Sequence, residues 1–137
     1  MTIQFINHQE WGIDPGAFEP YVTRLEKTVK PLEGVLNVVF VNDNYIQALN
    51  KNYRNKDEAT DVLSFNYQDD GDQHHTFIGE IYISVQRARL QAAEHYCTFQ
   101  DELNKLFVHG FLHIHGYDHE KDEDYVRMSE LEERVLA

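Results

Sequence analysis

The amino-acid sequence predicts an α+β fold in which helices pack on a mixed sheet of about four strands. The 137 residues suit a single domain spanning the chain, 1–137, and an apolar fraction of 42% is typical of globular proteins. Short runs with the composition of strands are followed by longer segments in which apolar residues have helical spacing. Their order along the chain, β-α-β-α-β-β-α-α-α, is that of one sheet with helices packed on it.

The first half of the chain contains two predicted strands and two predicted helices. In the first helix, apolar residues recur at the spacing of one buried face (Phe18, Tyr21, Val22, Leu25 and Val29). A β-branched run at residues 36–41 is typical of a buried strand. In chain order the elements are a strand at residues 3–6, a helix that Pro15 opens and Pro31 ends, the strand at 36–41, and a helix that Asp43 caps.

The second half begins with a predicted β-hairpin. A turn-forming Asp-Asp-Gly-Asp segment at residues 69–72 separates predicted strands at 61–67 and 76–83. Gly79 lies alone within the second strand, so we interpret it as a bulge or a close backbone approach rather than as part of a phosphate-binding loop. Three helices follow: one that Ser84 caps and that runs to about residue 96, one from about 99 to 115, and one from about 120 to the end.

Acidic residues outnumber basic ones, with 24 Asp and Glu against 12 Lys and Arg and a net charge of −12. Such an excess of acid mainly provides solubility and argues against tight, non-specific binding of nucleic acid, although it does not exclude a local basic groove. Seven of the acids lie between residues 120 and 137, where we interpret them as the solvated face of the last helix.

The sequence lacks the features of membrane and secreted proteins. No apolar run approaches the ~18 residues of a membrane span, and the first residues lack the basic and apolar regions of a signal peptide. Cys97 is the single cysteine, which excludes an internal disulfide. We therefore expect a cytoplasmic protein without membrane contact.

Residues 109–119 have the spacing of a transition-metal site. His109 and His113 are four residues apart, so on a helix their imidazoles share one face and can reach one ion. Gly116 lets the chain leave the helix with a positive φ, which returns His119 toward the same ion. Three imidazole ligands with an open fourth position are typical of catalytic zinc, although nickel, copper or another transition metal also suits them.

Two neighbours of these histidines bear on the chemistry. The same histidine spacing occurs in metzincin peptidases, which carry a glutamate directly after the first histidine as general base. Gly110 occupies that position here, so the general base of a peptidase is missing. The metal site still predicts hydrolysis, but we do not favour peptides as the substrate. Asp118 has two open interpretations: it orients His119 or transfers a proton, or it is a turn residue that caps the following helix. The remaining histidines are interpreted as surface or core residues, not ligands (His8, His74, His75, His95 and His115).

A second segment, residues 49–65, leads from a helix across a polar loop into a strand and carries Arg54 at the helix exit. The planar guanidinium of arginine can bind phosphate through two parallel hydrogen bonds. With residues 109–119 and 79–84, this segment resembles the YbeY-type endoribonucleases, the bacterial rRNA maturation factors, over about residues 35–136. Ile114 and Glu80 stand where leucine and aspartate are common in that family, and the net charge of −12 is low for an RNA enzyme.

The resemblance implies a function and a set of site residues. His109, His113 and His119 would be the zinc ligands, and Arg54 would be the cleft arginine needed for cleavage. The expected activity is metal-dependent cleavage of single-stranded RNA in maturation of the 3′ end of small-subunit rRNA and in ribosome quality control. The acidic charge suggests help from the ribosomal small subunit or a protein associated with it. Three aromatic residues beside these segments are candidates for base stacking, although core or strand-face packing is favoured for them (Phe65, Tyr67 and Tyr117).

Two alternative functions stay open at the level of sequence. The first is a metallohydrolase of another substrate class, such as peptides or small esters, against which Gly110 argues. The second is a ribosome-assembly binding factor in which the metal only holds the C-terminal helices in place.

Overall fold

The computed structural model describes residues 1–67, 77–118 and 120–137, and its elements follow the predicted order. A short 3-10 helix, Pro15–Phe18, precedes the first α-helix. The strands are β1 (Thr2–Asn7), β2 (Val35–Val41), β3 (Val62–Asn66) and β4 (Phe77–Ser84). The α-helices are α1 (Glu19–Thr28), α2 (Asp43–Arg54), α3 (Val85–Glu94), α4 (Phe99–Ile114) and α5 (Asp122–Leu136).

The four strands form one mixed sheet in the order β1-β2-β4-β3. Strands β1, β2 and β4 run parallel, whereas β3 pairs antiparallel with β4 and leaves its other side as an edge of the sheet. The α+β prediction with a mixed sheet of four strands is therefore confirmed, as is the antiparallel pairing expected of a hairpin. The predicted turn at residues 69–72 lies outside the described residues.

Three predicted helix starts differ from the structure. Pro15 opens the 3-10 helix rather than α1, which begins at Glu19 and holds Pro20 in its first turn, where a missing N–H costs nothing. The N-cap of α2 is Asn42, whose side chain accepts the Tyr45 N–H at 2.9 Å, and Asp43 is the first helical residue. The last helix begins at Asp122, two residues later than expected.

The sheet is covered on both faces, and the larger core lies on the face that α4 covers. That core combines residues of β2 and β4 with buried residues of α1, α3, α4 and α5, whereas a smaller cluster joins the sheet to α2. Helix α4 lies in the middle of the larger core and has ten buried residues. Side chains on α4 are therefore presented from a fixed scaffold. No helix within the described ranges is long and apolar enough to cross a membrane.

Two glycines let α4 approach the β3–β4 pair closely. A Cβ built on Gly110 would lie 2.7 Å from Ile81 Cγ2, and one built on Gly79 would lie 2.6 Å from both Ile114 Cδ1 and the Phe65 carbonyl oxygen. The pairing of β2 with β4 also shifts register beside Gly79, because Val35 and Leu36 face residues 77 and 79. Gly79 thus marks both a close approach and an irregularity in the strand, as predicted.

Candidate active site

Helix α4 presents His109 and His113 on one face, one turn apart, at the border between the core and solvent. Their Nε2 atoms lie 3.0 Å from each other, and the two rings are nearly perpendicular, with centroids 4.5 Å apart. The spacing of four residues produces this arrangement because both side chains project over the same turn of the helix. Two imidazoles therefore point their outer nitrogens at one small volume.

The end of α4 fixes the orientation of His113. Gly116 has φ +91°, its N–H donates to the His113 carbonyl at 3.0 Å, and the Tyr117 N–H donates to the Leu112 carbonyl at 3.0 Å. This pair of bonds is the Schellman motif, which ends a helix through a residue with positive φ. The turn brings the Tyr117 carbonyl to His113, where it accepts a hydrogen bond from Nδ1 at 2.9 Å.

A carboxylate from α5 holds His109 in the equivalent way. Glu132 Oε1 lies 2.6 Å from His109 Nδ1, and both side chains are about three-tenths exposed, at 27% and 31%. Glu132 was not among the residues predicted from the sequence, because it lies among the C-terminal acids that were interpreted as a solvated face. The signal that could have found it is chemical, since ligating histidines commonly donate their second ring N–H to a carboxylate or a carbonyl.

These contacts determine where the imidazole protons lie. A carbonyl and a carboxylate only accept hydrogen bonds, so Nδ1 is assigned as the protonated nitrogen in both rings. With these tautomers the lone pairs of the two Nε2 atoms point toward one small volume, 3.0 Å apart, an arrangement that suits ligation of one cation. Two nitrogens bound to one zinc ion lie about 3.3 Å apart for tetrahedral angles, so the pair fits such an ion.

The third predicted ligand, His119, lies outside the described residues. Within the described part of the chain, no group of three or more His, Cys, Asp or Glu side chains is arranged to hold a metal ion. The structure thus brings together two of the three predicted ligands, and the ligand set as a whole stays a prediction.

Arg54 opens onto the same cleft as the two histidines. It is the last residue of α2, and the chain turns away after it because Asn55 adopts the left-handed conformation with φ 57°. Its Nη2 donates to the Ser64 carbonyl at 3.1 Å, and its guanidinium lies 5.8 Å from the centre of the Phe65 ring. The cleft has a volume of about 650 Å³ and follows β3, with α4 on its other side.

The charges that line this cleft are mixed. Two cations, Arg54 and Lys56, stand against three carboxylates at the described lining positions (Asp61, Asp118 and Glu120). Asp61 already accepts hydrogen bonds from its neighbour's backbone N–H at 2.8 Å and from Gln91 at 3.3 Å. Without a bound cation the net charge of the lining is therefore slightly negative, and a divalent ion at the histidines would make it positive.

Asp118 is exposed, and the structure places it in the turn after α4. Its Oδ1 accepts the Glu120 N–H at 3.3 Å, which is a turn contact, and the N-cap position of α5 is Lys121 instead. Asp118 is therefore a turn residue, but it does not cap α5. A role toward His119 or a proton stays a prediction.

His115 points away from the cleft, as expected from its offset of two residues from His113. Its Nδ1 donates to the Phe111 carbonyl at 2.9 Å, and its Nε2 accepts the Leu32 N–H at 3.2 Å. Burial lowers the pKa of this imidazole, and the Phe111 bond acts in the opposite direction. His115 is therefore a neutral structural residue that ties the chain before β2 to the end of α4.

The candidate stacking residues have packing contacts. The Phe65 ring lies between Tyr53 and Tyr82, at 5.5 and 5.9 Å. Arg127 lies over Tyr117 at 5.5 Å. The Tyr67 hydroxyl donates to Glu80, as does the Tyr82 hydroxyl at 3.0 Å. All of these contacts are those of strand-face and surface packing.

Comparison with known proteins identifies the family. A family model described as Endoribonuclease YbeY matches residues 15–137. A protein of that name from Carboxydothermus hydrogenoformans is 44% identical over 104 residues, which cover 76% of this chain and 71% of the relative. Another, from Acholeplasma laidlawii, is 38% identical and covers 99% of this chain and 95% of its own. The solution structure of TM1509 from Thermotoga maritima matches with a TM-score of 0.63 and 30% identity, over 98% of this chain and 89% of that one. This chain therefore belongs to the endoribonuclease YbeY family.

Proposed function

We propose that this protein is a zinc-dependent endoribonuclease that cleaves single-stranded RNA. The observation that carries the proposal is the pair of facing Nε2 atoms on His109 and His113, 3.0 Å apart, on a cleft that Arg54 also lines. The family of endoribonucleases to which the chain belongs supports RNA as the substrate. Gly110, in place of the catalytic glutamate of peptidases, argues against peptide hydrolysis.

The proposed mechanism assigns a task to each side chain on the cleft. His109 and His113 would hold the metal through Nε2, with His119 as the expected third ligand. When bound, the metal supplies Lewis acidity to the scissile phosphodiester and to the attacking water. Arg54 neutralises the charge that develops on the phosphoryl oxygens, a contribution worth several kcal/mol. Asp118 is exposed on the cleft, where its carboxylate can accept the proton that the attacking water loses.

Single-stranded RNA suits this cleft better than a duplex. A cleft between an edge strand and one helix admits a flexible chain, whose bases can turn away from the acidic surface, more easily than a rigid helix. By its family, we further propose that the natural substrate is ribosomal RNA, at the 3′ end of the small-subunit RNA, and that the protein takes part in ribosome quality control. A net charge of −12 favours delivery of the substrate by the ribosomal small subunit or an associated protein.

Substitution of Arg54 tests this function most directly. We expect Arg54→Ala to lower cleavage of labelled single-stranded RNA by about 100- to 1000-fold, because one preorganised donor to the transition state is lost. Zinc content stays at the native value and the melting temperature changes little, because Arg54 is exposed and its described side-chain contacts are with the Ser64 carbonyl and the Phe65 ring. Arg134→Ala, which removes an exposed arginine from α5, is the matched control and keeps full activity.

Metal analysis and a second substrate separate the alternatives. We expect about one equivalent of zinc in protein purified without chelators, less in His109→Ala, and no RNA cleavage after chelation. Metal-dependent cleavage of casein without cleavage of RNA would identify a peptidase. A binding factor with a structural metal would retain its function in Arg54→Ala but unfold in His113→Ala.

A further inference from the structure

We propose that Glu132 is a positioning residue that prepares His109 for the metal, so that metal binding and docking of helix α5 stabilise each other. The inference rests on the proposed function, because it concerns the same metal site. Glu132 lies on the acidic C-terminal helix and belongs neither to the predicted ligands nor to the residues that line the cleft.

The contact between Glu132 and His109 is short and charge-assisted. Oε1 lies 2.6 Å from Nδ1, slightly shorter than the about 2.7–2.9 Å that is usual for charge-assisted N–H···O hydrogen bonds. Both groups are only about three-tenths exposed, so water competes weakly for either of them. The bond crosses from α5 to α4 and joins residues 23 positions apart in sequence.

The hydrogen bond selects the tautomer that a metal needs. A neutral imidazole carries one proton, and the partner of one nitrogen decides which nitrogen holds it. Glu132 keeps the proton on Nδ1 and thereby presents the Nε2 lone pair toward His113. For His113 the Tyr117 carbonyl does the same, but that carbonyl belongs to the turn that ends α4 itself. Of the described Nδ1 contacts of these two histidines, that of His109 is the one supplied by a separate helix.

Helix α5 holds Glu132 in place through contacts on both sides of it. Met128 and Val135, four residues before and three after, are fully or almost fully buried in the core. Arg24 on α1 donates to the carbonyls of Val135 and Ala137, at 2.9 and 3.0 Å, and so anchors the end of the helix. Glu130 and Glu133 are exposed, whereas Glu132 lies on the packed face.

The coupling that follows is reciprocal. If docked α5 raises the affinity of the site for metal, bound metal stabilises the docking of α5 by the same free energy. The acids of the last helix therefore serve two purposes: most keep the surface solvated, and one completes the site.

Glu132→Ala, Glu132→Gln and the control Glu133→Gln test the proposal in the full chain. Zinc affinity is measured by competition with a chromophoric chelator. We expect 10- to 100-fold weaker binding in Glu132→Ala, the range found when a second ring contact of a ligating histidine is lost. Glu132→Gln keeps an oxygen that accepts from Nδ1 and therefore restores most of the affinity. The exposed Glu133→Gln variant has the same loss of charge and binds zinc within about twofold of the native chain.

A second measurement reports the tautomer without any metal. Long-range ¹⁵N–¹H correlation spectra of the metal-free protein give the protonated nitrogen of His109. We expect Nδ1–H in the native chain, in Glu133→Gln and in Glu132→Gln, and a shift toward Nε2–H in Glu132→Ala. Hydrogen exchange of α5 amides slows when zinc is added to the native chain, and slows less in Glu132→Ala.

The outcomes separate this proposal from the proposed function. A native chain that takes up no zinc would overturn both. Normal zinc uptake, with the same affinity and the same His109 tautomer in Glu132→Ala as in Glu133→Gln, would overturn the role of Glu132 and leave the proposed function intact. If Glu132→Ala is poorly folded, Glu132→Leu, which has a similar size but no acceptor, gives the same test, and native affinity and tautomer in Glu132→Leu would overturn the proposal.

Discussion

Gly110 decides how close the two histidines of α4 lie to the sheet. The position follows His109 directly and faces Ile81 of β4, and a Cβ added there would lie 3.2 Å from Ser64 Oγ. A side chain would push α4 outward and carry His109 and His113 away from Arg54. Packing thus explains why a glycine, and not the glutamate of peptidases, stands at this position: Ile81 and Ser64 of the sheet fill the space that a side chain would need.

Gly110→Ala is expected to destabilise the fold despite the better helix propensity of alanine. Overpacking a core contact costs about 1–3 kcal/mol, and the gain in propensity returns about 1 kcal/mol of it. Urea unfolding measures the net loss. Gly12→Ala is the matched control, because nothing lies within 4 Å of a Cβ at that position. Equal midpoints for both variants would mean that α4 moves freely against the sheet.

At the scale of elements, the open edge of β3 explains where Arg54 lies. The Asp61 carbonyl accepts a hydrogen bond from the Ser84 N–H, and the Tyr67 N–H donates to the Ile78 carbonyl. The odd-numbered residues along β3 are therefore the ones whose backbone groups form hydrogen bonds with β4. Even-numbered residues therefore direct their backbone groups away from the sheet, as alternation in an antiparallel pair requires. The Ser64 carbonyl is one of these groups, and Arg54 binds it at 3.1 Å. The guanidinium thus covers part of an exposed strand edge while it lines the cleft.

The end of α2 is expected to control the position of Arg54. Asn55 ends the helix with φ 57° and ψ 30°, a conformation that asparagine and glycine tolerate but β-branched residues do not. We expect Asn55→Val to lower the free energy of unfolding by about 1–2 kcal/mol and to reduce RNA cleavage, because relief of the strain displaces Arg54. Asn55→Gly, the matched variant without strain, keeps both properties. Full cleavage activity in Asn55→Val would show that the cap does not position Arg54.

Elements were easier to predict than the contacts between them. Regular spacing of apolar residues identified the strands and α-helices that the structure describes, and Gly116 identified the end of α4, because these signals are local. The prediction of Asp43 as N-cap was wrong, because Asn42 holds that position; both residue types cap helices, and only the backbone conformation decides which of them does so. Glu132 was missed because its partner lies 23 residues away, and no local pattern distinguishes it from its exposed neighbours.

At the scale of the whole molecule, the distribution of charge limits how RNA can bind. The chain has 12 basic and 24 acidic residues, and the cleft offers only Arg54 and Lys56 as cations at its described lining positions. The net negative charge of the molecule repels a polyanion. Under the proposed function, recognition therefore depends on a small number of phosphate contacts, and a metal ion at the histidines would add positive charge to the cleft.

The salt dependence of RNA binding tests this picture. Each phosphate contact with single-stranded RNA contributes about −0.7 to the slope of log affinity against log salt, so two contacts predict about −1.4. Lys56→Ala is expected to make the slope shallower by about 0.7, whereas Lys30→Ala, which removes an exposed lysine outside the cleft lining, leaves it unchanged. Fluorescence anisotropy with a labelled oligonucleotide at several salt concentrations measures the slope. A native slope steeper than about −4 would require a basic surface far larger than this cleft, and RNA would then bind elsewhere on the molecule.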